Sequence, residues 1–347
     1  MRKSLYTTLM AATVLSTAAF GGNPQRAGSA GASELLINPW AGSAGLANSN
    51  VASVMGLEGS FMNIAGLAHN EGTEVGFANT QWLVGSGISV NAAGIAQQVG
   101  ENGNLALSIQ SFDYGEWDIT TEDQPEGGAG TISPTSIVIG LGYAQRFTTN
   151  IYGGVNIKVY NSTISNLSAT GIAVDAGVQY ITETKKNERN VRLGITLKNV
   201  GPSFSYGGDG LSINLPVPQG GYSQAFNSRS ADFELPTQLT LGGAYDWNIA
   251  KNIHRLTINA AFVANSFEKD NYVFGLEYGF KKWLAVRAGY RVNDNRVDGR
   301  NTTALSGPSA GVMFNAPMGK ANFRFDYAYR AAQNFSGIHT IGVAVAF

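Results

Sequence analysis

The chain has no cysteine among its 347 residues, three histidines, and only 14 % charged side chains. Without cysteine there is no disulfide framework, no thiolate metal site and no thiol nucleophile. His69 and His254 stand too far from other ligand types to mark a metal site, and no pattern points to a cofactor. A soluble surface ordinarily carries about 25 % Asp, Glu, Lys and Arg, so much of this surface avoids bulk water. Lys and Arg number 23 against 24 acidic residues, for a net charge of -1 and a pI near 6.3. That balance leaves no electrostatic footprint for nucleic acid. Long apolar runs are also lacking. Mean hydropathy is -0.05, and past the N-terminus nothing approaches the ~18 apolar residues of a spanning helix. Disorder is excluded in turn, because 44 % of residues are hydrophobic and 10 % aromatic.

What is present in excess is glycine, at 44 residues, together with a repeated alternation of apolar and small or polar side chains. Ahead of it, Met1-Arg2-Lys3 and the apolar stretch from Leu9 to Phe20 read as a secretory signal peptide over residues 1–20. The chain is expected to be exported.

Beyond residue 70, apolar residues recur at every second position, the period of a strand with one greasy face. Leu105, Leu107 and Ile109 form one such face, and Ile137, Ile139, Leu141 and Tyr143 another. Later examples are Val191, Leu193, Ile195 and Leu197, then Phe323, Phe325, Tyr327 and Tyr329. With less regular runs near 74–83, 87–96, 237–247, 255–265 and 309–315, about fourteen strands are expected. An even number of ten-residue alternating strands is the pattern of an outer-membrane barrel, and lipid requires closure because it cannot satisfy a free sheet edge. The expected fold is all-β: a closed antiparallel transmembrane β-barrel over residues 71–347, in contact with outer-membrane lipid. Connections support it. Those at 114–135, 161–170, 200–236 and 293–308 are long, whereas 97–103, 148–150, 183–190, 281–282 and 316–321 are short. Barrels alternate long extracellular loops with short periplasmic turns in this way.

Several local patterns are more specific. Residues 31–68, ending in Asn63-Ile64-Ala65-Gly66-Leu67-Ala68, resemble the N-terminal hatch of FadL-like barrels, with Ile64 where that group has proline. Phe233-Glu234-Leu235-Pro236 before Leu241-Gly242-Gly243-Ala244-Tyr245 resembles the start of a middle strand of the same group. Gly275-Leu276-Glu277-Tyr278, Val286-Arg287-Ala288-Gly289-Tyr290, Phe325-Asp326-Tyr327-Ala328-Tyr329 and Gly337-Ile338-His339-Thr340-Ile341 follow in order. Together they resemble the PorV/PorQ family of Bacteroidota, outer-membrane barrels of the type IX secretion system. The resemblance implies a FadL-like barrel with residues 21–70 folded into the lumen as a hatch. It also implies type IX secretion components or secreted cargo proteins as partners, bound through extracellular loops. The alternative is a FadL-like transporter of hydrophobic small molecules.

Inward parity collects Lys158, Asp175, Arg192, Lys198, Glu277, Arg287, Arg291, Arg324 and Asp326. Buried charges are tolerated when paired, so a structural lumenal network is expected, with Glu277 opposite Arg287 across a short turn. The 201–236 stretch carries Tyr206, Leu211, Ile213, Leu215, Tyr222 and Phe226, apolar material a solvated loop does not need, and is the expected partner-binding surface. Glu116, Asp118, Glu122, Asp123 and Glu126 read as a solvated acidic loop, since their spacing fits no EF-hand. Gly307-Pro308-Ser309-Ala310-Gly311 matches the G-x-S-x-G expression, with Asp326 and His339 in hydrolase order. A nucleophile elbow needs a strand–turn–helix context, and here the motif opens a strand, so no enzyme is expected.

Overall fold

Alternation closes this chain on itself. A computed structural model describes residues 23–184, 188–216, 220, 222–250, 253–293, 296–297, 300–301 and 303–347; the leader read over residues 1–20 lies outside them. Fourteen strands form the wall: β1 Thr73–Trp82, β2 Ile88–Val99, β3 Gly103–Asp113, β4 Thr135–Arg146, β5 Ile151–Ile164, β6 Leu167–Thr184 and β7 Glu188–Val200. They continue as β8 Gln238–Ala250, β9 His254–Asn265, β10 Asn271–Phe280, β11 Leu284–Asn293, β12 Gly307–Met318, β13 Ala321–Arg330 and β14 Ile338–Ala346. Each pairs antiparallel with its sequence neighbours. β14 returns to β1, with Phe77 opposite Val343, so the sheet has no free edge.

The pleat sorts the side chains. Along β4, Ile137, Ile139, Leu141 and Tyr143 point outward while Ser136, Val138 and Ala144 are buried. Leu107, Leu141 and Ile195 each keep more than half of their surface exposed on that outer face. An apolar band of this extent is untenable in water and suits hydrocarbon. The protein is a membrane-spanning β-barrel of the outer-membrane type.

One connection differs from the sequence reading. Residues 161–170 form no long loop: β5 and β6 run on to Ile164 and Leu167 and meet in a turn at 165–166. Apolar alternation stops there because the strands rise past the lipid, while the backbone ladder continues with polar pairs such as Asn161 beside Thr170. The 201–236 stretch also folds in part. Tyr206–Gly207 pairs onto β6, Phe204 bridges to Phe233, and Ser212–Pro216 pairs with Ser223–Asn227 in an exposed hairpin.

The N-terminal residues lie inside the barrel as short turns: Ser33–Leu36, α1 Ala41–Gly45, Gly56–Glu58, α2 Gly59–Met62 and Ile64–His69. Trp40, Leu57, Ile64 and Leu67 pack on Ala78, Ala96, Ala106 and Ala144 of β1–β4. Full burial of each large side chain contributes about 1.5–3 kcal/mol. On the opposite wall Val51, Val54 and Met62 meet Ala261, Val263 and Val273. Inward glycines let the backbones approach. A Cβ at Gly289 would lie 2.4 Å from the carbonyl carbon of Leu46, and one at Gly194 would lie 2.6 Å from the Val51 carbonyl oxygen.

Asn63 pins the segment. Its Oδ1 accepts from Ala65 N, and its Nδ2 donates to Val51 O at 2.9 Å and to Val178 O of β6 at 3.2 Å. The isoleucine that replaces the expected proline, Ile64, is fully buried, with its Cδ1 against Gly142.

Candidate functional site

The lumen is divided by chemistry. On the β1–β6 side the hatch rests mainly on alanines, glycines and aromatic rings, with Glu74 and the Lys158–Asp175 pair as the charged exceptions. On the β7–β13 side it faces a belt of charges. Arg192 pairs with Asp246, which also accepts from Thr257 Oγ1 at 2.6 Å. Arg255 reaches Glu277 at 2.7 Å, Arg287 joins Glu277 at 2.8 Å to Asp326 at 2.6 Å, and Arg324 links Asp326 to Glu74, both at 3.0 Å. Along this belt the charged strands alternate in sign, so each of these side chains meets an opposite charge.

Hatch carboxylates complete the anchoring. Glu58 accepts from Ser43 N beneath Arg287 and Arg324. Burial raises its pKa, and the two guanidiniums offset only part of that rise. At the other end, Glu34 Oε1 accepts from the hydroxyls of Tyr114, Tyr160 and Ser136. Burial, and then the Glu34 charge, pushes the Tyr114 phenol up.

Lys158 and Asp175 pair at 2.8 Å, and Lys158 also donates to Asn199 Oδ1. Asn199 occupies a bulge between β6 and β7 at φ 59°, where its amide donates to Asp175 Oδ1 at 2.7 Å and its Nδ2 to Pro236 O at 3.1 Å. Lys198 lies beside this group and donates to Phe61 O at 3.2 Å. Arg291 stands apart, nearer the long loops. Glu58, Glu74, Asp246, Arg255 and Arg330 belong to the lumen as well but were not singled out from the sequence. Parity along β8 and β13 reaches Asp246 and Arg330, whereas nothing periodic marks Glu58 in a segment of short turns.

Three spaces remain along the charged wall. The outer cavity, about 230 Å³, lies toward the long loops and is lined by Leu36, Met62, Trp82, Val263 and Leu305 together with Lys198, Glu268, Arg291 and Arg330. An inner space of about 180 Å³ is lined by Asn50, Glu58, Arg192, Arg255, Arg287 and Arg324. A wider one of about 520 Å³ lies at the short-turn end, bounded by Asp246, His254, Lys281 and Lys282, and shares Arg192, Arg255 and Met313 with the inner space. The hatch stretch 48–54 separates the outer cavity from the inner one. Its Val51 is fully buried against Gly242, and Ser53 Oγ donates to Asn259 Oδ1 at 2.6 Å.

The structure does not gather the six residues of the 201–236 surface in one place. Tyr206 is half-buried, donates to Ser162 Oγ at 3.2 Å and packs edge-on against Phe233, so it belongs to the wall. Leu211 is half-exposed. Ile213, Leu215, Tyr222 and Phe226 are exposed, with Ile213 opposite Phe226 in the hairpin. The hydrolase-like residues are dispersed: Ser309 donates to Gly45 O, Asp326 is held by two arginines, and His339 contacts Tyr327. Among the described residues no group of three or more metal-ligand side chains exists.

No protein-family model matches the chain, and no curated protein matches its sequence. Solved structures do. The monoaromatic hydrocarbon channel CymD aligns at 13 % identity over 90 % of this chain and 98 % of its own, with a TM-score of 0.53. The toluene transporter TodX of Pseudomonas putida aligns at 13 % over 85 % and 94 %, with a TM-score of 0.52. A FadL homologue of Pseudomonas aeruginosa gives 10 % over 88 % and 97 %, with a TM-score of 0.54. The chain has a FadL-type fold. Within that fold the hatch stretch 48–54 is the partition between an outward-facing cavity and two spaces toward the short turns.

Proposed function

We propose that this FadL-type barrel takes up small molecules with hydrophobic bodies across the outer membrane, without catalysis. The observation that carries the reading is the outer cavity: an amphipathic space above a closed hatch, with further space below it on the same wall. The titles of the similar structures, channels and a transporter for aromatic hydrocarbons, support the same direction. A ligand enters between the long loops, rests on the Leu36–Met62–Leu305 side of the cavity, and passes inward when stretch 48–54 moves off Gly242 and Gly194. The test is equilibrium dialysis of labelled toluene against the purified barrel. Saturable binding that is lost in Leu36→Glu, with the barrel still folded, is expected; equal binding by the variant contradicts the assignment.

A second reading rests on a separate observation. Ile213, Leu215, Tyr222 and Phe226 expose apolar surface on a hairpin that the barrel does not need. This favours protein binding, in the manner that the PorV/PorQ resemblance implies for type IX secretion components or cargo. Deleting 207–228 joins Tyr206 to Arg229, ends already held close by the bond from Tyr206 N to Ser230 Oγ at 3.3 Å. If the hairpin binds protein, partners that co-purify from native outer membranes disappear with it; unchanged co-purification removes this reading.

A further inference from the structure

The outer cavity contains more positive charge than the lumenal network uses. Lys198, Arg291 and Arg330 all line it, and Glu268 is the only carboxylate among its lining residues. No ion pair joins any of these four charges to a described residue. The Nε of Arg291 and one Nη of Arg330 are buried without a hydrogen-bond partner among the described residues. Arg192 in the inner spaces also has a buried Nε without a partner, but it and the other arginines there each have a carboxylate within reach, which Arg291 and Arg330 lack among the described residues. Buried guanidinium groups left unpaired are costly and uncommon. Glu268 attracts Arg291 without a close ion pair, and burial, the larger effect, favours its protonated form, so it offsets the cations only in part. The rest of the lining mixes apolar residues, among them Leu36, Met62, Trp82 and Leu305, with neutral polar ones such as Asn38 and Asn265.

We infer that the cavity binds a compact organic dianion: one apolar body, such as an aromatic ring, carrying two negative charges as a dicarboxylate or a phosphate monoester. The inference rests on the reading of this cavity as the ligand site and narrows its substrate class. Two negative charges match the two guanidiniums, Arg291 and Arg330, that no ion pair holds among the described residues. A neutral hydrocarbon fills the apolar part of the cavity but leaves both guanidiniums unpaired, so it binds, more weakly than the dianion. A volume of about 230 Å³ accommodates one ring with its acidic groups, not a long chain.

Isothermal titration calorimetry on the full barrel in detergent, with phthalate, phenyl phosphate and the neutral ester dimethyl phthalate, tests this. At least one dianion is expected to bind about tenfold more tightly than the ester, a difference of ~1.4 kcal/mol. That preference should vanish in the Arg291→Gln/Arg330→Gln double variant. Which of the two dianions binds identifies the oxyanion. Glu268→Gln provides a check that leaves the arginines in place, and it should tighten the dianion. Ester and phthalate binding equally well overturns the dianion and leaves small-molecule uptake standing. Binding of none of the three overturns both. Dianion binding that survives the double variant, or that Glu268→Gln weakens, overturns the assignment to this cavity.

Discussion

At Arg287 one guanidinium bridges two carboxylates. Glu277 and Asp326 both bond it, and its side chain is only 11 % exposed. Arg287→Ala leaves each acid with a single cation, Arg255 for Glu277 and Arg324 for Asp326, so the expected loss is below the ~3–5 kcal/mol of a buried pair broken from one side. A lower temperature of loss of heat-modifiable gel migration is the expected result. Glu58 behaves in the opposite sense. A carboxyl whose pKa is raised on folding destabilises the folded state once pH exceeds the raised value, and not below the ordinary carboxylate range. Glu58→Gln is therefore expected to unfold at a higher temperature than the parent at pH 8, with the gap closing on acidification; a gap that widens at low pH contradicts the sign. Gly289→Ala drives a Cβ into the Leu46 backbone, an overpacking cost of about 1–3 kcal/mol, visible as faster proteolysis of the hatch. Parity made Arg287 and Glu277 legible as inward neighbours, because register follows from a short turn. The approach of Leu46 to Gly289 was not legible, since it depends on where an aperiodic segment comes to rest.

At the scale of elements, the wall was readable and the hatch only by resemblance. Strands such as β3, β4 and β10 announce themselves because lipid imposes one apolar face on every one of them. β5 and β6 were read too short for the same reason: above the lipid the backbone ladder persists without the alternation that reveals it. The hatch has no repeating period, only turns held by Asn63, Glu34 and Glu58, so its contacts emerge only in three dimensions. The hairpin at Ser212–Pro216 and Ser223–Asn227 was hidden as well, among prolines and glycines that read as loop.

For the whole molecule, glycine abundance and scarce charge share one cause. Lipid outside and a hatch inside leave little of the wall in bulk water, so charge is scarce and mostly paired, Lys198, Arg291 and Arg330 excepted, and glycine survives where backbones meet. The same packing separates the outer cavity from the spaces below. The most direct test of the account is the initial rate of labelled toluene uptake by intact cells with a lipopolysaccharide-bearing outer membrane, with and without this chain. The account predicts a faster, saturable rate with the parent chain and the background rate with Leu36→Glu at equal surface abundance. A parent rate equal to background, or a faster rate that Leu36→Glu leaves untouched, contradicts it.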